Sequence, residues 1–314
     1  MPEISRLLNL QGQLALLTLV GFVLTKKGLI DSKGRKCLTD LLIDVILPCN
    51  IIQSFRIEFS WEILQNTFSI LVISLLLQVG CAVACALGYR RYSYARRSVF
   101  QYGTVCSNGG FLGNPLAEGI FGSTGLLLAS VYLIPQRIAM WSMGVSYFMQ
   151  DASPATPEEK KAHKKAVFLK TIRHPCILAV FFGMFLLLSQ FQLPGFIGQT
   201  VKSFSNCNMA MSMVLIGAII ASSGDLRPIL DRDVLLYCFL RLGLIPFLVL
   251  LGCRFAHTTE LVTGISVVLA AMPMGGTTAI LAEKYHSDAA FASKCIAIST
   301  ILSLVTTPLW CMVI

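Results

Sequence analysis

Apolar stretches of membrane-spanning length follow one another along almost the whole chain, separated by short charged or Pro/Gly-rich segments. A helix needs about 20 predominantly apolar residues to cross the hydrocarbon core of a bilayer. The pattern therefore predicts an all-α polytopic membrane protein with ten transmembrane helices. In order, these helices occupy residues 7–25, 38–55, 63–89, 98–121, 124–149, 175–190, 195–222, 234–253, 259–282 and 289–313.

The composition of the chain supports this prediction. Of its 314 residues, 55% are hydrophobic and only 13% are charged, and the mean hydropathy is +0.73. Soluble domains carry roughly 25% charged residues, so a soluble globular domain and a disordered chain are both excluded. Residues 7–24 run into Lys26 and Lys27 without a small-residue cleavage site, which predicts a first membrane helix rather than a removed signal peptide.

The positions of the basic residues predict the orientation in the membrane. The loops after the odd-numbered helices hold 18 Lys and Arg residues, whereas the opposite side holds only Arg6, Arg56 and Arg254. Short cytoplasmic loops carry an excess of Lys and Arg. We therefore expect cytoplasmic basic loops and both termini outside the plasma membrane. The net charge of +9 then reflects topology, and the expected partner is the lipid bilayer rather than nucleic acid.

One polar segment divides the predicted helices into two sets of five. The sequence predicts a first five-helix repeat at 1–150, a basic cytoplasmic linker at 151–174 and a second five-helix repeat at 175–314. With five helices each, the repeats enter the membrane from opposite sides, and such inverted repeats are common in secondary transporters. Short matches separated by 158 positions support the repeat, namely Asn50 with Asn208, Ser54 with Ser212, and Pro115 with Pro273.

The fourth predicted helix contains an unusual density of helix-breaking residues. Between Ser107 and Leu116 it has three glycines, two asparagines and a proline. Proline removes a backbone donor and glycine weakens a helix. Unwound backbone at membrane depth is tolerated only inside protein or beside a water-filled cavity. This segment is therefore predicted to unwind near a binding site, the alternative being a simple kink with close GxxxG packing.

The ninth predicted helix repeats this feature between Ala270 and Thr278, where the sequence reads AAMPMGGTT. Gly/Pro interruptions at corresponding positions of two halves indicate a transport site. The N-terminal N–H groups of the resulting half-helices carry partial positive charge and suit a carboxylate. Exposed amides such as those of Asn108 and Asn114 can orient the other oxygens of the ligand or hold a cation.

Ionisable side chains inside the predicted helices are few, and each is a functional candidate. Arg137 in the fifth helix either clamps a carboxylate in bidentate fashion or pairs with Glu118 or a helix carbonyl. Arg241 in the eighth helix offers the same alternatives. Asp44 and Glu118 are candidates for carrying a coupling ion, H⁺ or Na⁺; Asp40 could do so too, but equally fits a solvated helix start.

The sequence contains no enzyme signature and predicts no resident cofactor. The HExxH, GxSxG, P-loop and GxGxxG motifs are all missing. The eleven cysteines follow neither disulfide nor metal-ligand spacing. Most of them lie in apolar runs, where a thiol behaves as a small hydrophobic group. We therefore expect no catalytic centre and no metal site.

Several of these segments together resemble the auxin efflux carrier family. The segment NGGFLGNPL, from Asn108 to Leu116, resembles the crossover motif of that family, in which an Asn precedes the helix-breaking Pro by seven positions. Further matches are Leu47-Pro48, the segment NMAMSMVLIG at 208–217, the segment AMPMGGTTAILAEKY at 271–285, and Ser299 to Leu309. The resemblance covers essentially the whole chain. Its short central loop is similar to that of bacterial members described as malate or malonate permeases.

The resemblance implies a fold like that of the bile-acid:sodium symporters, with two inverted five-helix repeats and broken crossover helices four and nine. It implies that Asn108 contacts a substrate carboxylate near Pro115 and Pro273. The sequence departs from the family at two points: His174 stands where the family has Asn before Pro, and the predicted third helix at 63–89 lacks the acidic residue of the plant carriers. The candidate substrate-binding residues are Asn50, Asn108, Asn114, Pro115, Arg137, Pro273, Gly275 and Thr277.

The predicted function is secondary transport of a small organic anion by alternating access, with the site where helices four and nine cross. Malate, malonate and an auxin-like acid are all compatible substrates. The alternative is a membrane receptor that keeps the fold and binds a carboxylate without transporting it. The only long segment predicted outside the membrane that could relay a signal is 151–174. The oligomeric state is left open, with a homodimer as one option.

Overall fold

The computed structural model describes residues 4–148, 173, 175–222 and 231–314. Within these residues all regular secondary structure is helical, and no β-strand is formed. An isolated antiparallel bridge joins Ser107 to Met274. The predicted linker at 151–174 lies outside the described residues apart from Arg173, so the division into 1–150 and 175–314 stays a prediction.

The helices are numbered here in chain order. They are α1 (Ile4–Lys26), α2 (Ser32–Ser54), α3 (Trp61–Gly88), α4 (Tyr94–Val105), α5 (Gly109–Ala139), α6 (Pro175–Ser189), α7 (Gly195–Ala221), α8 (Arg232–Phe255), α9 (Glu260–Ala270), α10 (Thr277–Lys284) and α11 (Ala289–Val313). A π-helical turn, Met140–Gly144, continues α5.

Six of the described helices are long and apolar enough to cross a membrane: α2, α3, α5, α7, α8 and α11. The shorter apolar helices are α6, α9 and the part of α1 at Gly12–Lys26. These helices agree with the predicted polytopic membrane protein. The arrangement as ten crossings in two inverted repeats stays a prediction.

Large apolar side chains point outward along several of these helices. On α3, Leu76, Val79, Val83 and Leu87 are all more than half exposed. A soluble monomer rarely exposes contiguous apolar patches of this kind. Lipid chains therefore provide the surroundings in which this surface is stable.

Helix α5 joins the end of the fourth predicted helix to most of the fifth. Its chain turns at Gly122, which has φ 69° inside the helix. This left-handed conformation is strained for residues with a Cβ atom but accessible to glycine. The turn falls between residues 121 and 124, where the sequence predicts the end of one helix and the start of the next.

The helices pack in two groups. In the first, α1 packs along α7, and α2 packs on α6 and α7. The contact between α1 and α7 is close, because a methyl group at Gly21 or Gly217 would overlap the backbone of the opposite helix. In the second group, α3 packs on α5 and α9, while α10 packs on α4 and α11. Helix α5 also contacts α2 and thereby joins the groups.

Arg96, in the first turn of α4, links this helix to the starts of α8 and α11. Its guanidinium lies 2.6 Å from Asp233 at the start of α8 and 3.5 Å from Asp288, which precedes α11. It also lies 5.0 Å from the ring centre of Phe291. Asp288 in addition accepts a hydrogen bond from the backbone N–H of Phe291 and so caps α11. These contacts hold the first turn of α4 against the starts of α8 and α11.

Candidate functional site

Two interrupted helices cross each other in the interior of the protein. One interruption separates α4 from α5, and the other separates α9 from α10. The backbone N–H of Asn108 donates to the carbonyl of Pro273 at 2.8 Å, and the N–H of Gly275 donates to the carbonyl of Cys106 at 3.2 Å. Each unwound segment therefore satisfies backbone groups of the other. The sequence predicts both interruptions, and the structure shows that they meet.

Gly275 allows this close approach. A Cβ atom placed on it would lie 3.2 Å from the carbonyl oxygen of Cys106 and 3.3 Å from that of Ser107. Side chains rarely tolerate such distances to backbone atoms, which cannot move aside as a flexible side chain can. Glycine at this position lets the two segments pair directly.

On one side of the crossing, α4 and α9 present their C-terminal ends to Arg241 of α8. Its Nε donates to the carbonyl of Met272 at 2.9 Å, and its Nη1 donates to that of Thr104 at 3.2 Å. The side chain is only 2% exposed. Tyr237 adds a hydrogen bond of 2.8 Å to the carbonyl of Gly103. A cation suits the partial negative charge of helix C-terminal ends, so Arg241 holds the crossing together.

Gln136 of α5 and Ser299 of α11 complete the hydrogen bonds of the crossing. The Gln136 amide donates to the carbonyl of Ser107 at 2.7 Å and accepts from the Ser107 hydroxyl at 3.0 Å. The N–H of Met274 donates to the Ser299 hydroxyl at 3.2 Å. Unpaired backbone groups cost free energy in a dry interior, and these side chains remove that cost.

On the other side of the crossing, α5 and α10 present their N-terminal ends to a cavity of about 100 Å³. A cavity of this volume has room for several waters or a small molecule. The polar and glycine residues lining it are Ser107, Asn108, Gly110, Gln136, Arg137, Gly275, Gly276 and Thr277, and the others are Ile43, Leu47, Phe111, Leu133, Met140 and Cys176. Four of the predicted binding residues, Asn108, Arg137, Gly275 and Thr277, are thus brought together.

Arg137 is the one cation among the described residues that line this cavity. It is only 8% exposed, and its Nη1 finds no hydrogen-bond partner in the described part of the chain. The predicted alternative partner, Glu118, is instead bonded to Asn50. The Asn108 side-chain amide likewise makes no hydrogen bond to a described residue. Both side chains are therefore free to bind a ligand that enters the cavity.

The other predicted residues of the crossing lie close by but do not line the cavity. Asn114 is 0% exposed, and neither Oδ1 nor Nδ2 has a partner among the described residues. Pro115 is buried in α5, beyond the π-helical turn Gly109–Gly113. Pro273 contributes its carbonyl to the backbone pairing. Although Pro115 and Pro273 are separated by the repeat offset, only Pro273 lies in an interruption.

Asn50 lies in a separate polar cluster between α2, α5 and α7. Its Nδ2 donates to Glu118 Oε2 at 3.2 Å and to Ser205 Oγ at 3.0 Å. Its Oδ1 accepts from Asn208 Nδ2 at 3.0 Å, and Asn208 Oδ1 accepts from Ser212 at 3.3 Å. The two asparagines at the repeat offset of 158 are therefore bonded to each other.

The two candidates for ion coupling differ in their surroundings. Glu118 is half-buried and accepts the hydrogen bond from Asn50. Asp44 lies in the π-helical turn Leu42–Ile46 of α2, where it is exposed. It makes no hydrogen bond or ion pair with a described residue. Among the described residues, no group of three or more His, Cys, Asp and Glu side chains is placed to hold a metal ion.

Comparison with known proteins decides the family. Residues 12–311 match the family model described as membrane transport protein. The chain belongs to this family. The match confirms the resemblance to the auxin efflux carriers. A protein of Methanothermobacter thermautotrophicus named uncharacterized transporter is 29% identical over 315 residues, covering 95% of each chain. The uncharacterized transporter YfdV of Escherichia coli K12 is 21% identical, covering 93% of this chain and 92% of its own.

Family membership establishes a multi-pass membrane transport protein. The names of both relatives describe transporters, and neither describes an enzyme. In this transport protein, the crossing brings two half-helix N-terminal ends, the Arg137 guanidinium and the Asn108 amide to a single cavity, and neither side chain is hydrogen-bonded to a described residue. This set of groups is suited to hold an anion by charge and hydrogen bonds.

Sequence reasoning missed several residues of this transport protein that matter to the crossing. Gln136 and Tyr237 hold backbone carbonyls, and Gly276 lines the cavity. A buried polar residue beside Arg137 is a signal that could have identified Gln136. Tyr237 gave no such signal, because a tyrosine in an apolar helix is equally consistent with core packing.

Proposed function

We propose that this protein is a secondary transporter that carries a small organic anion across the plasma membrane. The observation that carries the proposal is the cavity at the crossing, where the buried Arg137 lies beside two helix N-terminal ends and its Nη1 has no partner among the described residues. An anion is favoured there by the guanidinium and by the partial positive charge of both helix ends. Asn108 supplies a neutral donor and acceptor that orient a second oxygen.

The proposed architecture is ten crossings in two inverted repeats, in a fold like that of the bile-acid:sodium symporters. The hydrogen bond between Asn50 and Asn208, at equivalent positions of the two repeats, supports this arrangement. The basic loops are proposed to be cytoplasmic and both termini outside. Alternating access would then move the helices around the crossing relative to the group formed by α1, α2, α6 and α7.

The size of the cavity supports a short acid as substrate. About 100 Å³ has room for a compact mono- or dicarboxylate such as malonate or malate and leaves little space for a larger ring system. An auxin-like acid would require the cavity to widen during the transport cycle. Short dicarboxylates are therefore the first compounds to test.

The test is uptake of radiolabelled malonate, malate and related acids by proteoliposomes that contain the purified protein. We expect saturable uptake of at least one acid and a loss of about tenfold in apparent affinity for Asn108→Ala, since one hydrogen bond to a charged group is removed. Asn206→Ala, at an exposed asparagine of α7, is the matched control.

Two outcomes would contradict the proposal. Uptake by Asn108→Ala that equals the parent protein would overturn the site. Binding of an acid, seen as a raised thermal unfolding midpoint, without any uptake would favour the receptor alternative.

A further inference from the structure

The polar cluster around Asn50 forms a continuous hydrogen-bonded chain that ends on a carboxylate. It runs from Glu118 through Asn50 and Asn208 to Ser212, with Ser205 attached to Asn50. Asn50 and Ser212 are 0% exposed, and Asn208 is 1% exposed. Glu118 alone among these residues is only half-buried, so protons can reach the chain at this end.

The hydrogen-bonded chain of side chains connects one group of helices to the other. Asn50 lies on α2 and Asn208 on α7, within the first group, whereas Glu118 lies on α5. The helical segment that carries Glu118 begins at Gly109 beside the cavity, about 2.5 turns earlier. A change in the bond between Asn50 and Glu118 therefore acts on the segment that forms one wall of the cavity.

No cation neutralises Glu118 among the described residues. The charged residues nearest to Asn50 in the sequence are Asp44 on α2 and Arg56 just after it, and Arg56 is bonded to Gln53. On α7 the nearest is the exposed Lys202, and α1 has no charged residue between positions 9 and 25. None of these forms an ion pair with Glu118. An ionised carboxylate without a cationic partner is costly to bury, and binding a proton removes that cost.

The hydrogen-bonded chain of side chains can form all its hydrogen bonds in either protonation state of Glu118, without moving the helices. When Glu118 is ionised, the Asn50 amide N–H donates to it, as in the structure. When Glu118 is protonated, half-turns of the two asparagine amides let Glu118 donate to Asn50 Oδ1, Asn50 donate to Asn208, and Asn208 donate to Ser212. The serine hydroxyls both donate and accept, so every bond reverses and none is lost.

We propose that Glu118 binds the coupling proton. We further propose that the hydrogen bonds through Asn50 and Asn208 transmit the change in its protonation to the first group of helices. The inference rests on the proposed transport function. The proton is taken up from water on one side of the membrane and released to water on the other side after the two helix groups have moved. Ionised Glu118 holds α5 to α2 by a charge-assisted bond, and protonation replaces this by a weaker neutral bond, which eases movement between the two helix groups.

The experiment compares exchange with accumulation in proteoliposomes, using radiolabelled malonate and malate. Exchange requires only binding and reorientation, whereas accumulation under a pH gradient also requires proton coupling. We expect Glu118→Gln to exchange within about twofold of the parent protein and to lose accumulation above equilibrium. Gln accepts the same hydrogen bond from Asn50, so the fold is kept. Glu62→Gln, at an exposed glutamate of α3, is the matched control.

Other outcomes overturn the inference in distinct ways. Accumulation by Glu118→Gln that equals the parent, or loss of exchange together with accumulation, would show that Glu118 is not the coupling site. Accumulation by the parent that follows a Na⁺ gradient and ignores the pH gradient would replace the proton by sodium. Absence of both exchange and accumulation in the parent would contradict the transport function itself.

A measurement without substrate separates the two proposals. Infrared difference spectra of the purified protein between high and low pH report the carbonyl band of a protonated carboxylic acid. We expect one such component to disappear in Glu118→Gln, to shift in Asn50→Ala and to remain unchanged in Glu62→Gln. A spectrum that is the same in the parent protein and Glu118→Gln would overturn the proton site whatever the transport result.

Discussion

The two sides of the crossing each contain a buried arginine, and the two arginines are used in opposite ways. Arg241 is 2% exposed and donates to two backbone carbonyls. Arg137 is 8% exposed and has an Nη1 without a partner among the described residues. In the sequence both look alike, since each is the only cation within its predicted apolar helix, 124–149 or 234–253. Their neighbours differ, because Arg241 meets helix C-terminal ends and Arg137 meets N-terminal ends.

This difference explains how a broken helix pair can be both stable and able to bind. The partial negative charges of the C-terminal ends attract a cation of the protein itself, Arg241, which occupies that side of the crossing. The partial positive charges of the N-terminal ends are joined by a second positive group, which favours an anion on that side. One side therefore supports the fold, and the other is the side at which we propose that the anion binds.

Arg241→Leu provides the largest expected effect. It leaves the carbonyls of Thr104 and Met272 buried without these donors, at roughly 1–3 kcal/mol each. We expect a strongly lowered thermal unfolding midpoint in detergent and little folded protein. Arg254→Leu, at an exposed arginine near the end of the same helix, should unfold like the parent. Equal stability of both variants would contradict the structural role of Arg241.

Arg137→Met is the corresponding substitution on the side of the crossing that faces the cavity. We expect the affinity for the transported acid to fall roughly tenfold to hundredfold, since charged hydrogen bonds contribute about 1.5–3 kcal/mol. The unfolding midpoint without ligand should stay the same or rise, because no described protein group depends on this guanidinium. Lys202→Met is the control for the loss of one positive charge. A destabilised Arg137→Met protein would show that the two arginines do not differ as described.

Asn114→Leu asks whether the unpaired amide beside the crossing serves function at the expense of stability. A buried amide without partners costs about 1–3 kcal/mol, so an apolar side chain of similar size should raise the unfolding midpoint. We expect transport to fall at the same time, as for buried polar groups retained for function. Asn206→Leu, at an exposed site, is the control. Lower stability of Asn114→Leu would mean that the amide is satisfied in the folded protein.

Gly275→Ala produces the smallest expected effect. Its methyl group would press on the carbonyls of Cys106 and Ser107, at a cost of about 1 kcal/mol. We expect a modest loss of stability and a lower transport rate, both measured on the purified protein. At Gly276 the nearest atom to an added Cβ is Ile219 Cδ1 at 3.4 Å, so Gly276→Ala should keep the stability of the parent protein. Equal losses of stability in the two variants would argue against direct backbone pairing at the crossing.

By itself, the sequence determined the membrane setting, the positions of the helices and the two interruptions. Apolar length, Pro and Gly are local properties, and hydrocarbon permits unwound backbone at few places. The turn at Gly122 and the interruption near Asn108 were predictable for this reason. Four of the eight predicted binding residues line one cavity, since they flank these interruptions or lie on the helix that packs against them.

Only the tertiary structure decided which polar groups serve the fold and which remain free. A buried arginine, amide or carboxylate looks the same in a sequence whether its partner is a carbonyl, another side chain or a ligand. Those partners come from residues far apart in the chain, as in the contacts of Arg241 with Thr104 and of Asn50 with Asn208. Hydrogen bonds act over about 3 Å, so their pairing is fixed only when the helices are packed.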